Sequence, residues 1–407
     1  MKKENIILFS SKNECCGCGA CMNICPKAAI TMKDDEYGFV YPEINNDICI
    51  QCELCKKVCA FQNVNQSNCV LKSYASAAVD KNIVLTSSSG GVFTSISEEF
   101  IKAGGIVYGC SMENTDNGLF PKHIRVSNIN ELKKLQGSKY VQSDLGNCFI
   151  ELKNDLLLGV KVMFSGTPCQ VAALYSFLGN NKTDLLYTVD IVCHGVPSIN
   201  FFRDYISNLN KKVKGQIINF RFRDKSNGWR LQGAIDYIDN NGKKKTKLIN
   251  SEVSSYFKLF LESSTYRDSC YNCKYTNKYR PGDITLGDYW GIENVHPEYL
   301  TRNLGTLEQK NGISCVLVNT LKGSELLNDF GVKLILKESS FSNVSAGNDQ
   351  LNYPSEVNIN RNKVLSIYRD GKYDAVEKWF NKRLGIKKYK ILIIDFIKSN
   401  IKKLINY

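Results

Sequence analysis

Long apolar runs are what this 407-residue sequence most lacks. The stretch nearest the start, residues 6–9, is too short for the core of a secretory signal. The one near the end, "ILIIDFI", is interrupted by Asp395 and is too short to span a bilayer. Proline is scarce too, with 8 residues against a hydrophobic fraction of 43%. That balance excludes fibrous and proline-rich disordered chains and favours two or three globular domains. The expected setting is the cytoplasm.

Cysteine is the opposite case, with 17 residues. Secreted disulfide frameworks belong to small exported domains, so reduced thiolates holding metal are the better reading of such a chain. Residues 14–26 read "ECCGCGACMNICP", in which Cys15, Cys18, Cys21 and Cys25 have the spacing C-x2-C-x2-C-x3-C-P. Cys49, Cys52, Cys55 and Cys59 repeat it 34 residues later (49 − 15). In such runs three cysteines wrap one cubane and the fourth reaches the other. Cys15, Cys18, Cys21 and Cys59 are therefore expected on one 4Fe–4S cluster, and Cys49, Cys52, Cys55 and Cys25 on a second. Ala60 stands where the second run would have proline, which alters a turn and no ligand. Zinc is the alternative occupant, but it calls for two cysteine pairs and not two runs of four. The pattern looks like a bacterial two-cluster ferredoxin module.

The net charge of +13 is unevenly spread. Residues 382–407 hold eight basic residues and one acid, hence +7. Ile386, Tyr389, Ile393, Ile397, Ile401 and Leu404 recur there at helical spacing. Such a tail suits an anionic membrane surface or an acidic partner. A terminal helix capping the body fits it equally.

After a polar linker at residues 60–68 the pattern changes. "SYASAAV" reads as a strand, and "VFTSISEEFIKAGG" as a helix with Val92, Phe93, Ile96, Phe100 and Ile101 on one face. "SSSGG" precedes that helix, where free N–H groups favour a phosphate; an ordinary serine cap explains the same residues. "GVKVMF" and "LLYTVDIVC" read as strands, each followed by a short loop and a helix. Cys169 and Cys193 fall in those loops, where open α/β sheets bind ligands; as lone cysteines either is otherwise a small buried hydrophobe. His194 beside Cys193 reads as structural. Beyond residue 215 three strands follow, with "DNNG" as a hairpin signal. "DITLGDYWG" ends in a turn where Gly287, Asp288, Trp290 and Gly291 either line a planar cofactor or simply pack. The pair Cys270 and Cys273 in "CYNCKY" has half the ligands any metal site requires.

The segments "SSSGGVFT", "GSKYVQS", "FSGTPCQVAAL", "DIVCHGVP", "FRDKSNGW" and "CYNCKYTN", with "YRPGDITLGDYWG" shortly after, occur in that order. Together they resemble the beta subunit family of the coenzyme F-420 (deazaflavin) reducing hydrogenases and dehydrogenases. The resemblance implies an α+β chain, a ferredoxin-like dicluster module fused to a mixed α/β flavin-binding body. Its divisions would be 1–66 for the module, 70–150 and 155–325 for two parts of the body, and 326–407 for a basic helical tail. It implies FAD, held by Ser88, Ser89, Gly90 and Gly91 with Ser138, Lys139 and Tyr140 along the pocket. It also implies a third 4Fe–4S cluster on Cys169, Cys193, Cys270 and Cys273. Cys16, Cys69, Cys110, Cys148 and Cys315 are left to packing.

Flavin accepts single electrons from clusters and exchanges pairs with a substrate. The expected activity is therefore an iron–sulfur flavoprotein oxidoreductase serving a deazaflavin-like coenzyme or another small molecule, with polysaccharide biosynthesis one setting. Ferredoxin or another redox protein is the expected electron partner, and no nucleic acid is. The alternative is an electron-transfer subunit that has no substrate of its own and serves a partner enzyme. No catalytic side chain is named by the sequence.

Overall fold

The structure, a computed structural model, describes residues 5–64, 68–116, 118–179 and 184–405. Residues 65–67 of the expected linker lie outside the described residues, as do the side chains of Ile401 and Leu404. Between the two cysteine runs, β1 (Ile30–Asp34) and β2 (Val40–Ile44) form an antiparallel hairpin. The Asp35 carboxylate accepts the N–H groups of Tyr37 and Phe39, both at 2.9 Å, and closes its turn. The duplication survives in the backbone. Gly19 (φ 71°) opens the short helix Ala20–Asn23, and Glu53 (φ 59°), 34 residues on, opens Leu54–Lys57.

The body is built on β4 (Lys72–Ala78), β5 (Ile106–Thr115), β6 (Gly118–Val126), β7 (Val162–Gly166) and β8 (Leu186–Ile191). A separate antiparallel sheet contains β9 (Gly215–Arg221), β10 (Gln232–Asp239) and β11 (Lys244–Asn250). Next, β12 (Tyr279–Arg280) pairs with the earlier β3 (Asn68–Cys69). Then β13 (Ile284–Asp288), β14 (Ser314–Val318) and β15 (Leu334–Ser339) complete the main sheet. Its eight strands run in the order β15-β4-β14-β13-β8-β7-β5-β6. Its centre, β13-β8-β7-β5, is parallel, and the flanks are antiparallel.

Strands covered on both faces must be apolar throughout, and the sequence supplies them. Every residue of β14, "SCVLV", is buried. On one face, Val92, Ile96 and Phe100 from helix Val92–Lys102 meet Val107, Met163 and Val316. On the other, helices Cys148–Leu157 and Pro168–Leu178 pack Phe149, Leu152 and Val171 against Tyr108 and Phe164. Ala20, Val58 and Ala60 of the cysteine-rich module join that same cluster, so the module is seated on the body through apolar contact. Tyr275 donates to the Ala60 carbonyl at 2.7 Å and Ser198 to the Tyr37 carbonyl at 2.9 Å across the same junction.

Two divisions expected from sequence are drawn differently here. Segments 70–150 and 155–325 share one sheet, because β5 lies parallel beside β7. The segment from 326 onward is not all helix: β15 pairs with β4 from Leu334 opposite Ala78 to Ser339 opposite Ser73. Its helical part begins at Arg361, and Val364, Tyr368, Tyr373 and Phe380 of Arg361–Leu384 pack beside helix Ile199–Val213. The last helix, Ile386–Ile405, leaves Ile386, Tyr389, Ile393 and Ile397 exposed. Among the described residues no helix is long and apolar enough to cross a membrane.

Beside the end of β8 lies a fully buried ion pair. Arg280 Nη2 donates to Asp190 Oδ1 at 2.6 Å, and Gly282 N–H to Asp190 Oδ2 at 2.8 Å. The guanidinium also reaches the carbonyls of Tyr275 (2.7 Å) and Ile191 (3.1 Å). This network ties the Cys273 segment to the end of β8. Asp190→Ala would strand the Arg280 charge, at a cost of about 3–5 kcal/mol. A lowered apparent thermal midpoint, with the wild-type value retained in a surface control such as Lys33→Ala, is the expected outcome.

Candidate functional site

The parallel strands β5, β7, β8 and β13 end at one edge of the sheet, where open α/β sheets place their ligands. A cavity of about 320 Å³ lies there, inside the range usual for small-molecule sites. Strand β7 leads through Thr167 into helix Pro168–Leu178, fixed by a reciprocal cap. The Gln170 side chain accepts from the Thr167 N–H at 2.9 Å, and the Thr167 hydroxyl accepts from the helix. Cys169 is thereby held in the first turn. Strand β8 runs out into Cys193, and the short helix Asp268–Asn272 presents Cys270 just ahead of Cys273. All four cysteines line the cavity.

Their thiols form one group. Cys193 stands within electrostatic reach of Cys270, Cys169 and Cys273, and Cys273 within reach of Cys169. Burial pushes Cys270 up to about 12 and Cys273 up to about 11, each also raised by a neighbouring thiol. Thiols in that condition keep their protons unless a cationic centre replaces them, and a metal cluster deprotonates its ligands outright. Cys169 is the exception. A hydrogen bond from Cys16 brings it down to about 7 against burial.

In the module, Cys21 is pushed up by burial and stands among Cys18, Cys15 and Cys59, the four expected on one cluster. Cys25, Cys49, Cys52 and Cys55 line a second, small apolar cavity with Ile30 and Leu54. Backbone N–H groups already point at its sulfurs: Ala29 donates to Cys25 Sγ at 3.3 Å and Gln51 to Cys49 Sγ at 3.4 Å. Among the described residues no three His, Cys, Asp or Glu side chains close around one ion-sized position. A cubane sets its ligands around four irons instead.

Six of the seven residues expected around a flavin line the large cavity: Ser88, Ser89, Gly91, Ser138, Lys139 and Tyr140. Gly90 does not. Its N–H donates to Ser314 Oγ at 2.9 Å, and a Cβ there would sit 2.3 Å from the Ser76 carbonyl oxygen, so it packs the loop against β4. Gly91, at φ 82°, starts helix Val92–Lys102. The Ser138 N–H donates to Ser88 Oγ at 2.7 Å and joins the two loops. The Lys139 ammonium is already spent on the carbonyls of Lys134, Leu135 and Gln136 at 2.9–3.2 Å, so it shapes the loop without presenting a free charge. Tyr140 stacks on Phe260 at 4.9 Å, and its hydroxyl accepts from Arg223 at 3.2 Å. Arg223 also pairs with Asp288 at 2.6 Å, and Trp290 stacks on Trp229 at 4.5 Å. Lys225 donates to the carbonyls of Val84 (2.6 Å) and Ser89 (2.5 Å), which pins the serine loop from outside.

Three participants were not visible in sequence. His123, on β6, sends Nε2 to the Ser165 carbonyl at 3.0 Å, while burial pulls its pKa down to about 4. Nδ1 of the neutral ring is then a buried acceptor without a partner, on a residue that lines the cavity. Ser87 Oγ is likewise buried and unpartnered. Arg267 is fully buried and reaches from the body into the module, donating to the carbonyls of Cys15 (3.0 Å) and Val40 and to Gln142 Oε1 (3.2 Å). Nothing in a lone histidine on an alternating strand, or in an arginine three residues before a cysteine, signals these roles. Of the cysteines left to packing, Cys148 and Cys315 are core residues, Cys69 is exposed and Cys110 lines the cavity. Cys16 is more than filler: its thiol contacts both Cys18 and Cys169.

Comparison with known proteins places these features. Residues 14–63 match the 4Fe-4S dicluster domain, and residues 159–343 match the family described as the C terminus of the coenzyme F420 hydrogenase/dehydrogenase beta subunit. No curated protein matches the chain. Among solved structures, a chain of the F420-reducing NiFe hydrogenase complex from Methanosarcina barkeri is 16% identical, with a TM-score of 0.42. The match covers 79% of this chain and 95% of that one. The matched segments carry every cysteine of the two module sites and of the cavity group, and the chain belongs to the coenzyme F420 hydrogenase/dehydrogenase beta subunit family, with a 4Fe–4S dicluster domain at its N-terminus.

Proposed function

We propose that the protein is an iron–sulfur flavoprotein oxidoreductase. Two clusters sit on the module, a third on Cys169, Cys193, Cys270 and Cys273, and FAD in the cavity those cysteines line. The observation that carries the reading is the shared wall: the four body cysteines and the serine–glycine loop face one space. Cys16 brings the module to that same space.

The residues fit a flavin. Ser87 and Ser88 with the N-terminus of helix Val92–Lys102 offer hydroxyl and N–H groups to a pyrophosphate. His123 Nδ1 offers a buried acceptor to a flavin N–H or ribityl hydroxyl, and Tyr140 with Phe260 an aromatic wall to the ring. FAD, when bound, supplies the exchange of single electrons on one side and pairs on the other. The chain's own tasks are to hold the ring against the cysteine group, to exclude water with apolar walls, and to set potentials through burial and N–H···S contacts.

The substrate is a two-electron acceptor or donor of small size, a deazaflavin-like coenzyme among them, with ferredoxin or another redox protein on the other side. The carrier reading, in which a partner enzyme takes the electrons, has the exposed apolar and basic face of Ile386–Ile405 in its favour.

Protein purified without oxygen is expected to hold about twelve irons, three cubanes of four. Cys270→Ala would hold about eight, with the module signals intact; zinc in place of iron, or twelve irons in the variant, would sink the ligand assignment. His123→Ala should weaken FAD binding about tenfold by removing one buried acceptor, as read from quenching of flavin fluorescence on titration into apoprotein. Reduced ferredoxin with candidate small acceptors separates enzyme from carrier: reoxidation by a free acceptor supports the first, and by a partner protein alone the second.

A further inference from the structure

Cys16 has no place in either four-cysteine run, yet the chain takes trouble to fix it. Cys15 is in extended backbone (φ −128°, ψ 117°), so successive side chains point to opposite sides. Cys15 turns to the module's own group, and Cys16 faces the large cavity. The loop is clamped by the body on both sides of Cys16. Arg267 donates to the Cys15 carbonyl at 3.0 Å, and Gln142 Nε2 donates to the carbonyls of Cys16 (3.4 Å) and Gly17 (3.2 Å). Gly17, at φ 66°, is where the clamp closes: a Cβ there would lie 2.5 Å from Arg267 Nη2 and 2.7 Å from Gln142 Nε2. Held so, the Cys16 thiol makes hydrogen-bond contact with two other sulfurs, Cys18 in the module and Cys169 in the body.

We propose that Cys16 is the bridge by which electrons cross from the module to the body, its S–H set between a ligand of the nearer module cluster and a ligand of the body cluster. This rests on the ligand sets given under the proposed function. Cluster ligands are thiolates, acceptors only, so the donor between them is the Cys16 S–H. One electron leaves the reduced cluster and arrives at the oxidised one; no bond forms or breaks, and Cys16 keeps its proton. The contact does two things. It gives a continuous path Cys18 Sγ, Cys16 Sγ, Cys169 Sγ in place of a gap between domains. Its hydrogen bond also stabilises the added negative charge on a reduced cluster, which raises that cluster's potential. Cys16 is a positioning and tuning residue and ligates nothing.

The test uses the full chain, purified without oxygen, as wild type, Cys16→Ala and Cys16→Ser, with Cys270→Ala to assign the body cluster's signal. Iron is counted, potentials are taken by redox titration followed by paramagnetic resonance, and cluster-to-cluster transfer is timed after a pulse of reductant. Cys16→Ala is expected to keep about twelve irons and to lower the potential of the nearer module cluster, the body cluster or both. The Cys25, Cys49, Cys52, Cys55 cluster should not move. Transfer between module and body should slow about tenfold, the scale of losing a group that supports metal ligands. Cys16→Ser, whose hydroxyl still donates, should recover part of the potential shift. Unchanged potentials and transfer with full iron would reduce Cys16 to packing and overturn the proposal. Loss of about four irons in Cys16→Ala would overturn it too, by making Cys16 a ligand. Wild type with only about eight irons would overturn instead the ligand set beneath it.

Discussion

A single buried guanidinium holds the arrangement together. Arg267 has no exposed surface, and among the described residues no carboxylate pairs with it. Its hydrogen bonds go to two module carbonyls and a body glutamine, and its face lies over the Tyr41 ring at 4.4 Å. A charge so placed is costly unless its surroundings answer it. Its field lowers the thiols of Cys15, Cys169 and Cys270, which belong to two different cysteine groups. On the proposed ligand sets, those sulfurs become thiolates when clusters are bound. The cation that joins module to body and the anionic centres on either side of it then stabilise one another. Docking and cluster loading become parts of one electrostatic balance.

The cavity's position follows from the sheet. Four parallel strands end together, and each contributes its next few residues: Cys110 on β5, Thr167 to Cys169 after β7, Cys193 after β8, Asp288 on β13. The serine–glycine loop closes the opposite side only because β4 is drawn into the sheet beside β14, with Gly90 packed on the β4 backbone. An apolar helix face and a buried central sheet are thus what place the chemistry.

Much of this was legible in residues alone. The cysteine repeat has a spacing that only two shared clusters explain simply, and "GVKVMF" and "LLYTVDIVC" are apolar enough to be central strands. The helix at Val92 was equally plain from its one-sided periodicity. What escaped were features made by distance along the chain. Leu334–Ser339 looks like part of a basic tail until it meets β4, some 260 residues earlier in sequence. Cys16 looks surplus because its partner Cys169 lies in another domain. Lys139, attractive as a phosphate ligand, turns out to be committed to three carbonyls of its own loop. Local pattern reports which face of an element is apolar, and says little about which remote group will share a pocket with it.

The Arg267–Cys15 contact spans 252 residues. Both cysteine runs and the hairpin between them are complete by Phe61, about two hundred residues before the arginine that fixes them is made. Contacts of such long separation form late, while N-terminal units take shape first during synthesis. The seat of the module on the body is therefore the closing event of folding. The order of assembly runs with the direction of the chain, iron site first and clamp last.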